Sequence, residues 1–75
     1  IFAIQVGAFV EKENALRLRD ELQKKYSNVH IVLWESNVKR FYRVRLGSFR
    51  SEAEARRYSE TLRKDNLAGF VVCED

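Results

Sequence analysis

The chain holds no proline, one cysteine, one histidine and three glycines in 75 residues. Each shortage excludes something. Without proline no helix or strand carries a built-in break, and no low-complexity linker divides the chain. Cys73 alone cannot form an internal disulfide, and with His30 as its only companion it falls short of a zinc ligand set. A lone cysteine near a strand end reads as a small, half-buried apolar residue. One His and one Cys also assemble no Ser/His/Asp or Cys/His set for nucleophilic catalysis. The acids Glu11, Glu13, Asp20, Glu21, Glu52, Glu54 and Glu60 fall on helix outsides or loops, where capping, helix-dipole and i,i+4 roles account for them. No carboxylate pair for glycoside cleavage is in view. No apolar run approaches the roughly 20 residues of a membrane span, and no signal-peptide pattern is visible. The reading is a non-enzymatic domain without metal or cofactor.

What is present repeats itself. Gln5-Val6-Gly7-Ala8-Phe9 returns forty residues later as Arg45-Leu46-Gly47-Ser48-Phe49. The same offset aligns Ala15 with Ala55, Leu22 with Leu62, Ile31 with Val71 and Val32 with Val72. Two copies are too few for a solenoid, so the period implies one domain made of two similar halves. Seventy-five residues leave no room for a second core. The chain begins directly on a strand, and residues 1–75 are expected to be a domain cut from a longer protein.

Residues 2–6 alternate, with Phe2, Ile4 and Val6 on one face and Ala3, Gln5 and Gly7 on the other, and Gly7 is expected to end this strand. Ala15, Leu18, Leu22 and Tyr26 form one helical stripe from about Lys12 to Tyr26, closed by Ser27-Asn28. Val29 to Trp34 is a second strand. Val29, Ile31 and Leu33 face inward if His30, Val32 and Trp34 face outward, and the sequence leaves the reverse open. After Glu35-Ser36-Asn37 a third strand runs from Phe41 to Leu46, with Tyr42, Val44 and Leu46 buried and Phe41, Arg43 and Arg45 opposite. Ser51-Glu52-Ala53-Glu54 has the spacing of a capping box and opens a helix to about Asn66. Glu11 holds the matching position in the first helix, which lacks that device. Gly69 precedes the last strand, Phe70 to Cys73.

The order βαββαβ is that of a ferredoxin/RNP-like split α+β fold, a four-stranded sheet with both helices on one face. Its other face then has no cover. If strands one and three are central neighbours, that face carries Ala3, Gln5, Phe41, Arg43 and Arg45. The charge agrees with a binding role. Residues 1–37 carry five bases and five acids, whereas residues 38–75 carry nine bases and six acids and supply the whole net charge of +3. Lys39, Arg40, Arg43, Arg45 and Arg50 form a basic stripe that can attract nucleic acid, an acidic membrane surface or another anionic polymer, the bland alternative being a solvated edge.

Phe2-Ala3-Ile4-Gln5-Val6-Gly7-Ala8-Phe9, its second copy Tyr42-Arg43-Val44-Arg45-Leu46-Gly47-Ser48-Phe49, and Ser51-x-x-Glu54-Ala55 ahead of Leu62 together resemble the SPOR (sporulation-related) domain family. The resemblance covers essentially the whole chain. It implies a bacterial envelope module that binds peptidoglycan, prefers glycan strands stripped of their stem peptides, and gathers at the division septum. It further implies a periplasmic or cell-wall location, a monomer, no nucleic acid, and a membrane link only through the parent chain. Gln5 matches the family's sheet-face glutamine, and Phe41 stands where an aromatic is used. Ala8 departs, since a small hydroxyl residue is frequent there. The expected glycan-binding set is Gln5, Ala8, Phe41, Arg43, Arg45 and Trp34. The rival reading is an RRM-like single-stranded RNA binder, which shares the element order and the open sheet. Its K/R-G-F/Y-G/A-F-V-x-F/Y run is missing from residues 41–49.

Overall fold

The computed structural model describes residues 1–74. Its elements run β1 (Phe2–Phe9), α1 (Lys12–Gln23), β2 (Val29–Glu35), β3 (Arg40–Phe49), α2 (Glu52–Lys64) and β4 (Phe70–Cys73). The expected α+β fold is present: one antiparallel sheet in the order β2-β3-β1-β4, with β1 and β3 in the centre. Ile4, Val44 and Leu46 on the central strands meet Ala15 of α1 and Leu62 of α2, so both helices cover the same face. Ala15 and Ala55, equivalent under the forty-residue offset, are both fully buried. A side chain without bulk at these two points lets each helix approach the sheet closely.

Several element boundaries depart from the sequence reading. β1 does not stop at Gly7 but continues to Phe9, and β3 spans Arg40–Phe49 rather than 41–46. The glycines sit inside the strands because each makes room for a ring. A Cβ on Gly7 would lie 2.9 Å from Cε2 of Phe9, and one on Gly47 only 2.4 Å from Cε2 of Phe49. Gly47 also holds φ +86°, a region that side chains with a Cβ avoid. The helices end earlier than expected, at Gln23 rather than Tyr26 and at Lys64 rather than Asn66. Asn28 and Asn66 then take positive φ, 56° and 63°. After α2 the amide of Leu67 bonds the Leu62 carbonyl and that of Asn66 the Arg63 carbonyl, a Schellman closure with asparagine in the left-handed position.

The helix starts differ as their residues require. Ser51 Oγ accepts from the Glu54 amide at 3.1 Å, whereas Glu11 caps α1 without a side-chain bond. Tyr26 donates its hydroxyl to Asp65 at 2.8 Å and ties the C-terminal ends of the two halves together. The hydrogen bond to the Asp65 carboxylate raises the Tyr26 pKa, with burial adding in the same direction. Cys73 is exposed rather than half-buried, because its position falls on the short edge strand β4.

Candidate functional site

The face away from the helices is organised by cross-strand register. Gln5 lies opposite Arg45, Arg45 opposite His30, and Gln5 opposite Phe70. Residues directly opposite one another share a face, so Phe70, Gln5, Arg45 and His30 form one row across all four strands. In the next row Ala8, Arg43 and Val32 align, and beyond it Phe41 faces Trp34. Val29 and Ile31 pack into the core, which resolves the orientation of β2 in favour of an outward His30, Val32 and Trp34. All six residues expected to form the site therefore lie on the uncovered face.

Ala8 arrives there by a route alternation does not give. Counting in twos from Gln5 would send Ala8 to the helix side. The register slips between Gln5 and Gly7, leaving Val6 as an extra residue, and this bulge restores Ala8 to the face of Gln5. Gly7 is turned inward against Phe9 and Leu18. β4 accompanies β1 only as far as Gln5, so the edge of β1 beyond that point borders a groove of about 320 Å³. Gln5, Gly7, Ala8, Gly69 and Phe70 line it. Phe70 is 60% exposed, a large ring in water beside the groove. The sequence reading missed it. The available signal was an aromatic directly after Gly69 on a strand that must pair with β1, but the register that places it opposite Gln5 is not written in the sequence.

Trp34, Phe41 and Arg43 make a second cluster. The two rings are 5.8 Å apart with planes inclined by 38°, and the Arg43 guanidinium stands 5.2 Å from the centre of the Trp34 ring. Trp34 keeps 40% of its surface in water. Stacking holds the guanidinium in place and leaves its donors pointing outward. Among the described residues no carboxylate pairs with Arg43.

Arg45 is differently placed from the open guanidinium its alternation implies. It is only 8% exposed. Its Nε donates to Gln5 Oε1 at 3.2 Å and its terminal nitrogen to Glu74 at 3.1 Å. Glu74 also meets Nε2 of His30 at 2.9 Å. Burial works to raise the Glu74 pKa, but hydrogen bonds from His30 and Arg45 outweigh it and hold the carboxyl below its ordinary value. Gln5 is 9% exposed, and Arg45 occupies its amide oxygen. Among the described residues its amide nitrogen has no acceptor, and no sealed side-chain nitrogen or oxygen lacks a partner. That nitrogen is thus the part of Gln5 that reaches solvent. The arrangement offers a fixed amide donor beside an exposed ring, and a cation on an aromatic pair one row away. No three His, Cys, Asp or Glu residues among those described are grouped to hold a metal ion.

Comparison with known proteins agrees with this geometry. The structure resembles the crystal structure of the RlpA SPOR domain from Pseudomonas aeruginosa, with a TM-score of 0.78 and 29% identity over 99% of this chain and 100% of that one. No curated protein sequence matches the chain. The SPOR domain family profile matches residues 1–72. The chain thus belongs to the SPOR domain family, whose members are peptidoglycan-binding modules of the cell envelope.

Proposed function

We propose that this domain binds peptidoglycan glycan strands that have lost their stem peptides, without catalysing a reaction, and so brings its parent protein to the septum or to remodelled wall. The observation that carries this reading is that Gln5, its amide oxygen held by Arg45, lines a groove beside the exposed Phe70 ring. A stripped glycan presents acetamido carbonyls, hydroxyls, sugar ring faces and, on alternate sugars, a lactyl carboxylate. Gln5 donates to a carbonyl or hydroxyl from the groove. Phe70 on one side and Trp34 with Phe41 on the other offer apolar planes to sugar faces. Arg43, stacked and with no carboxylate partner among the described residues, meets the lactyl group. Arg45 already has Glu74 and serves the site through Gln5. A stem peptide converts the lactyl carboxylate to an amide and adds bulk, removing the charge partner of Arg43 and crowding a shallow surface. Ala8 forms part of the groove wall without donating a bond.

The test is retention of the domain on sacculi before and after treatment with an amidase that removes stem peptides. Amidase treatment should raise retention, and Phe70→Ala or Gln5→Ala should each lower it by about tenfold, the worth of roughly 1.4 kcal/mol of lost stacking or hydrogen bonding. Arg43→Ala should narrow the difference between treated and untreated sacculi. An undiminished preference would remove the charge argument. Capture of single-stranded RNA on a filter with equal strength would overturn the glycan reading.

A further inference from the structure

The row across the open face ends in a contact that ligand binding does not itself require. Glu74 lies just past β4, and its amide donates to the Ile1 carbonyl at 2.9 Å. From there its carboxylate accepts from Arg45 of β3 and meets His30 of β2. Among the described residues these two are the charged or titratable groups that face it. Both nitrogens of His30 face oxygens, Nδ1 the Asn28 carbonyl at 3.2 Å and Nε2 the Glu74 carboxylate at 2.9 Å. A neutral imidazole carries a single N–H, so both contacts are hydrogen bonds only when the ring holds two protons. Arg45, nearly out of water, needs a counter-charge to stay there. Glu74 supplies it.

The consequence reaches Gln5. A guanidinium donates and never accepts, so the Arg45 Nε contact fixes the carboxamide with its oxygen toward β3. The amide nitrogen is left for the groove. With Arg45 released, the amide is free to turn over and present its oxygen, an acceptor where a sugar carbonyl needs a donor.

We infer that Glu74 and His30 are positioning residues for ligand binding: they touch no ligand, and they act through Arg45 to keep the Gln5 amide nitrogen turned to the groove. The inference rests on the reading above, in which Gln5 meets the glycan. It makes the site a relay of four side chains from β2, β3, β1 and the segment after β4, of which only Gln5 reaches the ligand. A carboxylate near the end of the described chain thereby governs a hydrogen bond on the central strand.

A double-mutant cycle on amidase-treated sacculi separates positioning from a general structural role. Glu74→Ala should lower affinity about five- to tenfold, on the scale of one misdirected hydrogen bond. Glu74→Gln, which keeps the shape, should lower it less and guards against loss of folding. In a Gln5→Ala background neither change should cost anything further. A loss of equal size in both backgrounds would overturn the inference. His30→Ala should lower affinity in the same direction as Glu74→Ala and by less, and an unchanged affinity would remove His30 from the relay. If the wild type holds no treated sacculi at all, the glycan reading fails and a ligand-free measurement still decides the relay. The Gln5 side-chain amide signals in a ¹⁵N spectrum should be dispersed in the wild type and collapse toward free-amide positions in Glu74→Ala. Unchanged signals would overturn it.

Discussion

The groove beside β1 and the groove beside β3 are built from equivalent residues. Val6, Gly7, Ala8 and Ala68 line the first, and Leu46, Gly47, Ser48 and Asn28 line the second, each forty positions away. Their surroundings differ. At the second, β2 stays paired with β3 through Val29 and Leu46, and the Gly47 amide goes on to bond the Asn28 carbonyl at 2.9 Å. At the first, the Val6 bulge carries β1 away and pairing with β4 ends at Gln5 and Phe70. The side chains diverge likewise. The residues forty positions from Gln5 and Phe70 are Arg45 and His30, which do not line the second groove and are joined by Glu74. Gln5 and Arg45 are almost equally buried, at 9% and 8% exposed; the first lines its groove, and the second, with His30 and Glu74, holds the first in place. The equivalent residues Gln5 and Arg45 meet because the two halves are related about an axis between the central strands.

The comparison is broken most forcefully at the glycines. Gly47→Ala adds a Cβ against Phe49 and forces a left-handed φ on alanine, so a loss of about 2–5 kcal/mol is expected from backbone strain and overpacking together. Gly7→Ala meets Phe9 and Leu18 without the φ penalty and should cost about 1–3 kcal/mol. Urea unfolding of both variants measures the difference. Equal losses would mean that the two strand ends carry the same strain.

Arg45→Gln makes the second half resemble the first at its central residue. It removes charge-assisted hydrogen bonds to Glu74 and the donor to Gln5, and about 1–3 kcal/mol of stability should go with them. Thermal unfolding beside Gln5→Ala checks it, since Gln5→Ala leaves the Glu74 contacts in place and should cost less.

Much of this fold is legible in residues alone. Ile4, Val44 and Leu46 alternate, Ala15 to Leu22 and Ala55 to Leu62 recur at helical spacing, and Ser51 with Glu54 announces a helix start. The placement of both helices on one face follows, as does the open face with Arg43 and Phe41. The bulge at Val6 is a different matter. It depends on how Phe9 and Leu18 fill the space beside Gly7, so Ala8 reaches the open face through tertiary packing. Arg45 and Phe70 show the same limit in opposite directions. Alternation puts Arg45 on the open face, but its burial depends on Glu74 29 residues away; Phe70 is given no face by the sequence, and its exposure depends on where β4 stops. Register between strands distant in sequence is set by the whole core.

Acid should separate the halves more gently. The folded pKa of Glu74 is depressed, so its contribution to stability is present above the unfolded value and is lost as pH falls through the folded one. Stability should decline below the ordinary carboxylate range, and Glu74→Gln should flatten that decline in unfolding measured at successive pH values. A decline of the same depth in Glu74→Gln would place the acid sensitivity elsewhere. The smallest effect expected is at Ala8. Ala8→Ser gives the first half the hydroxyl that Ser48 already has in the second, and one added hydrogen bond should tighten glycan binding about two- to tenfold. Affinity for amidase-treated sacculi reads it directly, and no gain would mean that the groove wall at Ala8 does not approach the sugar.

The account turns on one groove being open to ligand while its counterpart is locked. A ¹H–¹⁵N titration of the domain with glycan strands released from sacculi by the amidase compares them in a single experiment. Shifts should concentrate at Gln5, Ala8, Arg43, Gly69 and Phe70 and leave Asn28, Gly47 and Ser48 in place. Shifts centred on Asn28, Gly47 and Ser48, or on the outer faces of α1 and α2, would contradict it.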